Sequence, residues 1–310
     1  MKRLISLIFS IITFSLSAQV LPQSTFFVYD QMTINPGYAG SQEGICVNIL
    51  ARNQWMGFDG APNTQKFDVH MPFKLFGAEH GAGFALYNDK IGLANDINAT
   101  LSYSFLKGVG SGKIGIGGGV GFFSQTLSGS FEPINGNDAV IPNPSDKGKI
   151  AFTANIGAFY QAANVFLGLS IMNINEGDLA TKTGDNKPYA NMARQFNITG
   201  GYNYQLSNPL FEIQPAFLIR TTGSTTQISV NAALKYKGKI WGGVGYRNTD
   251  AITAFIGAEF IEGLNFGLAY DVTTSKIAKY DDGSVEIFLR YVFKIGIERE
   301  QSNYKSIRYL

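Results

Sequence analysis

The sequence predicts an all-β fold: an antiparallel transmembrane β-barrel of about fourteen strands, within a range of roughly twelve to sixteen, with short turns at one end and long loops at the other. Three observations carry this. The first is a side-chain period of two. In 96–105, Ile97, Ala99, Leu101, Tyr103 and Phe105 alternate with Asn98, Thr100, Ser102 and Ser104. Segments 196–206 and 264–272 repeat the pattern, and aromatics such as Tyr103, Phe105, Tyr204 and Tyr270 fall toward strand ends on the apolar side, where interface girdles belong. The second is the rhythm of the connections. Those after odd strands (55–62, 127–148, 173–192, 274–283) are long and polar or rich in Pro and Gly, whereas 161–163, 207–208, 237–238 and 261–262, after even strands, are tight. A soluble sandwich has no reason to alternate in this way. Two connections break the rhythm: 72–79 is long for a turn and 247–250 short for a loop. The third is composition. Only 15% of the 310 residues are charged, Gly numbers 36 and aromatics reach 13%, with a hydrophobic content of 45%, as expected where only alternate residues face lipid.

Taken in order, residues 1–18 read as a secretory signal: Lys2 and Arg3, an apolar run over 4–16 too short to span a bilayer, then Ser17-Ala18 before a cleavage at Gln19. Residues 19–44 form an N-terminal periplasmic or plug-like lead. Asn35-Pro36 and Gly40-Ser41 supply its turn chemistry. The barrel occupies 45–297, with expected strands near 45–54, 63–72, 80–89, 95–106, 112–126, 149–161, 164–172, 193–206, 209–220, 226–237, 239–247, 251–260, 263–273 and 284–297. Most have about the nine to eleven residues a tilted membrane strand needs. An even count places both termini on the periplasmic side, with 298–310 as a polar tail. The expected location is the outer membrane.

Few motifs could carry chemistry. Gly110-Ser-Gly112-Lys-Ile-Gly115 has dinucleotide-fingerprint spacing, but it continues as strand rather than helix, and Lys113 lacks the following Ser or Thr of a phosphate loop. Its glycines read as relief of crowding on the lumen face. His70 and His80 lack further ligands for a metal and partners for a hydrolase triad. Asp138, Asp146, Asp178 and Asp185 are loop acids, read as solvated charges. The single Cys46 excludes an internal disulfide and reads as a small buried or lumen-facing thiol. Arg52, Arg220, Arg247 and Arg290 lie on the polar parity or at strand ends, with Glu212, Glu259 and Glu286 as candidate partners. Such pairs either set channel selectivity or hold a filled interior together. A net charge of +2 gives no reason for a nucleic-acid partner. No catalytic, cofactor or metal site is expected.

One ordered set of motifs is more specific. Asn35-Pro36-Gly37-Tyr38-Ala39-Gly40-Ser41, Arg52-Asn-Gln54-Trp55 and Ala61-Pro62-Asn-Thr64, followed by His80-Gly-Ala-Gly83, Asp89-Lys-Ile-Gly92 and Tyr103-Ser104, resemble the PorP/SprF family of outer-membrane proteins of type IX secretion and gliding. The resemblance covers essentially the mature chain; Gly37 stands where Ala is more usual. It implies a non-enzymatic role. One branch links the outer membrane to a periplasmic ring and a peptidoglycan-binding lipoprotein. The other is the partner or surface anchor of a secreted adhesin or type-B cargo. Cargo is then expected at loops 127–148 and 173–192, and ring or wall partners at 19–44 and 298–310.

The alternative is a passive channel or a hydrophobic-substrate transporter. Phe123, Phe159, Phe166, Phe255 and Phe288 fall on the lumen parity and point to a filled or hydrophobic interior rather than a water-filled pore.

Overall fold

The structure, a computed structural model, describes residues 22–127, 150–177 and 192–294. The signal, the tail 298–310, most of the two longest loops and the acids Asp138, Asp146, Asp178 and Asp185 lie outside the described residues.

Fifteen strand segments form one sheet: β1 (Gly44–Asn53), β2 (Asn63–Leu75), β3 (Ala78–Ile91), β4 (Ala94–Val109), β5 (Gly112–Leu127), β6 (Ile150–Gln161), β7 (Val165–Met172), β8 (Gln195–Tyr202), β9 (Tyr204–Gln205), β10 (Phe211–Thr221), β11 (Thr226–Tyr236), β12 (Ile240–Arg247), β13 (Ala251–Ile261), β14 (Leu264–Thr273) and β15 (Ser284–Lys294). β8 and β9 both pair with β10 in one continuous register, so they are two pieces of a single stave. The break at Asn203 lies beside Pro215, which has no N–H for the ladder. Each stave is antiparallel to its sequence neighbours, and β1 pairs with β15 from Gly44↔Lys294 to Asn53↔Val285. The result is a closed fourteen-stave barrel with no free sheet edge.

The irregular connection at 72–79 resolves into a tight turn. β2 runs through Pro72 to Leu75, leaving only Phe76 and Gly77, both at positive φ, the conformation a two-residue hairpin needs. Pro72 is tolerated because the β1–β2 ladder ends at Cys46↔His70, so its missing N–H faces no partner strand. The connection 247–250 stays short, as the sequence suggested. The first and last staves begin and end at the short-turn end of the barrel.

The alternation sorts as expected. On β4, Leu101, Tyr103 and Phe105 are exposed while Thr100, Ser102 and Ser104 are buried. Exposed aliphatics such as Leu101, Val120, Ile156, Leu169, Val244 and Ile256 form a belt. Exposed aromatics flank it: Phe122, Phe152, Tyr246 and Tyr270 toward the long loops, Tyr103, Tyr204, Phe260 and Phe293 toward the short turns. Ile156→Arg at mid-belt is expected to cost about 2–4 kcal/mol, and Ile240→Arg at the short-turn rim about 0–1 kcal/mol. Chemical unfolding of the barrel in liposomes measures both; equal costs would be incompatible with a membrane belt at this height.

Candidate functional site

Among the described residues, the lead occupies the lumen. Residues 22–42 are buried or half-buried, so the lead is a plug and not a segment outside the wall. The reason lies in its side chains. Phe26 packs on Trp241, Phe255 and Phe288, with ring centroids 5.8, 6.0 and 4.5 Å away. Phe27 and Ile34 pack against Ala216 and Leu218 on β10. Met32, Tyr38 and Ala39 cluster with Phe159. Phe123, Phe159, Phe255 and Phe288, placed on the lumen side by parity, are all buried, and Phe166 packs against two of these clusters.

The block 35–41 seats against backbone. Asn35 caps a short 3-10 turn, Pro36–Tyr38, its Oδ1 accepting from Gly37 N at 2.9 Å. Its Nδ2 donates to the carbonyls of Ala158 (3.0 Å) and Leu169 (3.3 Å) on β6 and β7. A Cβ added to Gly37 would lie 2.8 Å from both Gly115 O and Gly157 O; one added to Gly117 would lie 2.6 Å from Pro36 O. Glycine on both sides is what lets the plug backbone touch the wall. Of the glycines of 110–119, Gly110 sits in the β4–β5 turn, while Gly115 and Gly117 form the seat. Ala39 O accepts from Ser104 Oγ at 2.6 Å, Gly40 N donates to His70 Nδ1 at 3.1 Å, and Ser41 N donates to Tyr38 O at 3.0 Å. Tyr38 packs edge-on against Phe159 and His70, and its hydroxyl accepts from Arg290 Nη2 at 3.3 Å. His70 thus faces the lumen, whereas His80 stacks beside the exposed Tyr103; the two share no site.

A second seat uses charge. Arg52 Nη1 donates to Glu286 Oε2 at 2.9 Å and Nη2 to Asp271 Oδ2 at 2.6 Å. Arg247 Nη1 donates to Asp250 (2.8 Å) and Asp271 (3.0 Å). The plug enters this lattice. Ser24 Oγ (2.6 Å), Thr25 N (2.8 Å) and Phe26 N (3.1 Å) all donate to the Glu286 carboxylate. Thr25 Oγ1 accepts from Arg247 Nη2 at 3.2 Å and donates to Asp271 Oδ1 at 3.1 Å. Asp30 pairs with Lys66 at 2.6 Å, and Pro22 O accepts from Lys66 Nζ and Arg220 Nη1. Of the acids expected to pair with lumen arginines, only Glu286 does so. Glu212 accepts from the Gln214 amide, and Glu259 from Gly263 N. Both sit near the short-turn end, away from the arginines of the lattice. Asp271 was visible only as an alternating polar position, and Ser24-Thr25 gave no signal beyond following the leader.

The remaining motif residues line the long-loop rim. Gln54 N donates to Pro62 O at 2.9 Å, Trp55 N to Ser284 Oγ at 3.0 Å, and Thr64 Oγ1 to Asp89 Oδ1 at 2.6 Å. The structure therefore divides the motif set. Asn35, Pro36, Tyr38, Ala39, Gly40 and Ser41 form the seated turn, Arg52 belongs to the ionic lattice, and Gln54, Trp55, Pro62 and Thr64 shape the first long loop. Among the described residues, no group of three or more His, Cys, Asp or Glu is placed to hold a metal.

Residues 16–291 match the family described as type IX secretion system membrane protein PorP/SprF. The chain belongs to the PorP/SprF family. A search of curated proteins returns no match. Similar solved structures include the Acinetobacter baumannii outer membrane protein Omp33, at 6% identity and a TM-score of 0.48, covering 82% of this chain and 100% of that one. Another is the Ralstonia pickettii toluene transporter TbuX, at 12% identity and TM-score 0.49, covering 84% and 93%. A third is the CymD monoaromatic hydrocarbon channel, at 11% and 0.49, covering 86% and 93%. In this PorP/SprF protein the motifs that run from the lead into the first hairpin are, in large part, the residues that hold the plug.

Cys46, the single cysteine, is buried beneath the plug beside Arg290. Gly157→Val pushes a side chain into Asn35 and Pro36. It is expected to raise the rate of maleimide labelling of Cys46 about tenfold for each ~1.4 kcal/mol of seating lost. Asp271→Asn, which leaves two buried guanidiniums short of a partner, is expected to lower barrel stability by about 3–5 kcal/mol in chemical unfolding.

Proposed function

We propose that this protein is a non-catalytic, plugged outer-membrane component of type IX secretion or gliding that works through its two exposed ends. The observation that carries this reading is the plug. It is held by a buried ionic lattice near the long-loop end and by a glycine seat on β5 and β6. A lumen filled in this way supports binding at the rims rather than passage of solute. The long-loop end faces outward, where 127–148 and 173–192 meet a secreted type-B cargo or adhesin and hold it at the surface. The short-turn end faces the periplasm with the C-terminal tail 298–310, and meets ring subunits or a peptidoglycan-binding lipoprotein. The lead contributes mainly from inside the barrel, so its share of the periplasmic surface is limited to the stretch around Gln42 and Glu43.

The test is a mild-detergent pull-down of the tagged protein from its own outer membrane, read by mass spectrometry. A stoichiometric large adhesin or type-B cargo is the expected result. Ring subunits with a wall-binding lipoprotein would shift the role to the secretion core. Recovery of the barrel alone, together with stable conductance in a planar bilayer, would sink both and favour the channel.

A further inference from the structure

The plug does not fill the lumen evenly. Between it and the wall formed by β6, β7 and β10–β13 lies a cavity of about 350 Å³, within the size range of small-ligand sites. It opens near the short-turn end, where its rim is the β6–β7 turn, Gln161–Val165, with Asn203, Gln214 and Lys235. Its deep walls are aromatic: Phe26 and Tyr29 from the plug, and Trp241, Phe255, Phe159 and Phe166 from the barrel.

Two cationic side chains line this cavity without an ion pair among the described residues, Arg290 and Lys235. Arg290 lines it and, among the described residues, has no carboxylate within ion-pair distance. Its Nε donates to Cys46 Sγ at 3.2 Å, its Nη2 to Tyr38 OH at 3.3 Å, and its guanidinium lies 5.6 Å from the Tyr29 ring. The ion-paired lumen arginines, Arg52 and Arg247, each hold two acids. Trp241 lines the chamber and is 3% exposed. Lys235 stands directly across the β11–β12 ladder from Trp241. The nearby acids do not answer them. Glu212 stands across the β10–β11 ladder from Lys235 and accepts from Gln214, and Glu259 accepts from Gly263 N; neither lines the cavity, and among the described residues neither forms an ion pair with Lys235 or Arg290. A guanidinium and an ammonium around an aromatic chamber are complementary to one class of ligand.

We propose that this cavity binds a carboxylate carried on an aromatic or aliphatic body. The body lies against Phe26, Tyr29, Trp241 and Phe255, and the carboxylate accepts from Arg290 and Lys235. This goes beyond the secretion role and does not depend on it. The ligand is either a free small organic acid or the C-terminal carboxylate of a polypeptide entering from the short-turn side; the chemistry is shared.

The chain has two tryptophans, so a Trp55→Phe background leaves Trp241 as the sole tryptophan, excited selectively at the red edge of its absorption, beyond that of tyrosine. The mature protein in nanodiscs is titrated with 4-phenylbutanoate, with its neutral amide, and with a tetrapeptide ending in Phe as free acid or amide. A saturable change in Trp241 emission is expected with the acids, about tenfold or more weaker with the amides, since a charge-assisted hydrogen bond is lost. A tighter peptide acid identifies a polypeptide terminus, and a tighter free acid a small molecule. Lys235→Gln, at the rim, is expected to weaken the acids and leave the amides unchanged. Ala233→Leu, which fills the chamber without touching the charges, is expected to abolish binding of all four. No saturable response to either acid, or equal affinity for acid and amide, overturns the proposal.

Discussion

A ring of fourteen staves encloses more space than its own inward side chains fill; about eight strands is the number at which they suffice. That surplus volume must hold water or chain, and the rest of this structure follows from its being filled with chain. Because the lead occupies the lumen, the inward face need not be uniformly polar. It carries a phenylalanine wherever the plug presents an aromatic, as at Phe255 and Phe288 against Phe26. It carries glycine where the plug presents bare backbone, as at Gly115 and Gly117. It carries charge where the plug presents unpaired amides, as Glu286 does for Thr25 and Phe26. At these positions the wall is matched to the element of the plug beside it.

The two seats act differently. The lattice of Arg52, Asp271, Glu286 and Arg247 is almost fully buried, so its net contribution is small relative to an apolar replacement, while loss of any one member is costly. Its value lies in register. Arg52 and Glu286 face each other across the β1–β15 ladder, the seam that closes the barrel. Ser24, Thr25 and Phe26 bind that same carboxylate. The glycine seat, by contrast, works through close contact and two amide bonds from Asn35, and tolerates no added volume.

The barrel was largely legible in the sequence because one rule, alternation, governs every stave, and a strand such as 96–105 shows it unaided. Strand ends were less so: β2 extends past Pro72 because its first-stave partner has already ended, a fact of pairing and not of local sequence. The filled lumen was legible from the phenylalanines on the polar parity. Its details were not. Asn35 binds the carbonyls of Ala158 and Leu169, and backbone carbonyls leave no mark in a sequence. Asp271 reaches Arg52 across the intervening stave β15, a relation set only when the ring closes. The motif residues themselves form three groups, since one ordered motif set records the passage of a chain from plug to seam to rim.

That passage also bears on assembly. Only Gln42 and Glu43 separate the seated block from β1 at Gly44, so the plug and the first stave are one continuous unit. The first stave must meet the last to close the ring, and the contacts that hold the plug's start join residues more than 260 positions apart. Contacts of such separation carry a large loop-closure cost and form late unless local structure brings them together. Here the seam ladder does so: once Arg52 stands opposite Glu286, the carboxylate that receives Ser24, Thr25 and Phe26 is already in place. Closing the wall and setting the plug are therefore one cooperative event, and the lumen is filled by the same step that removes the last free edge.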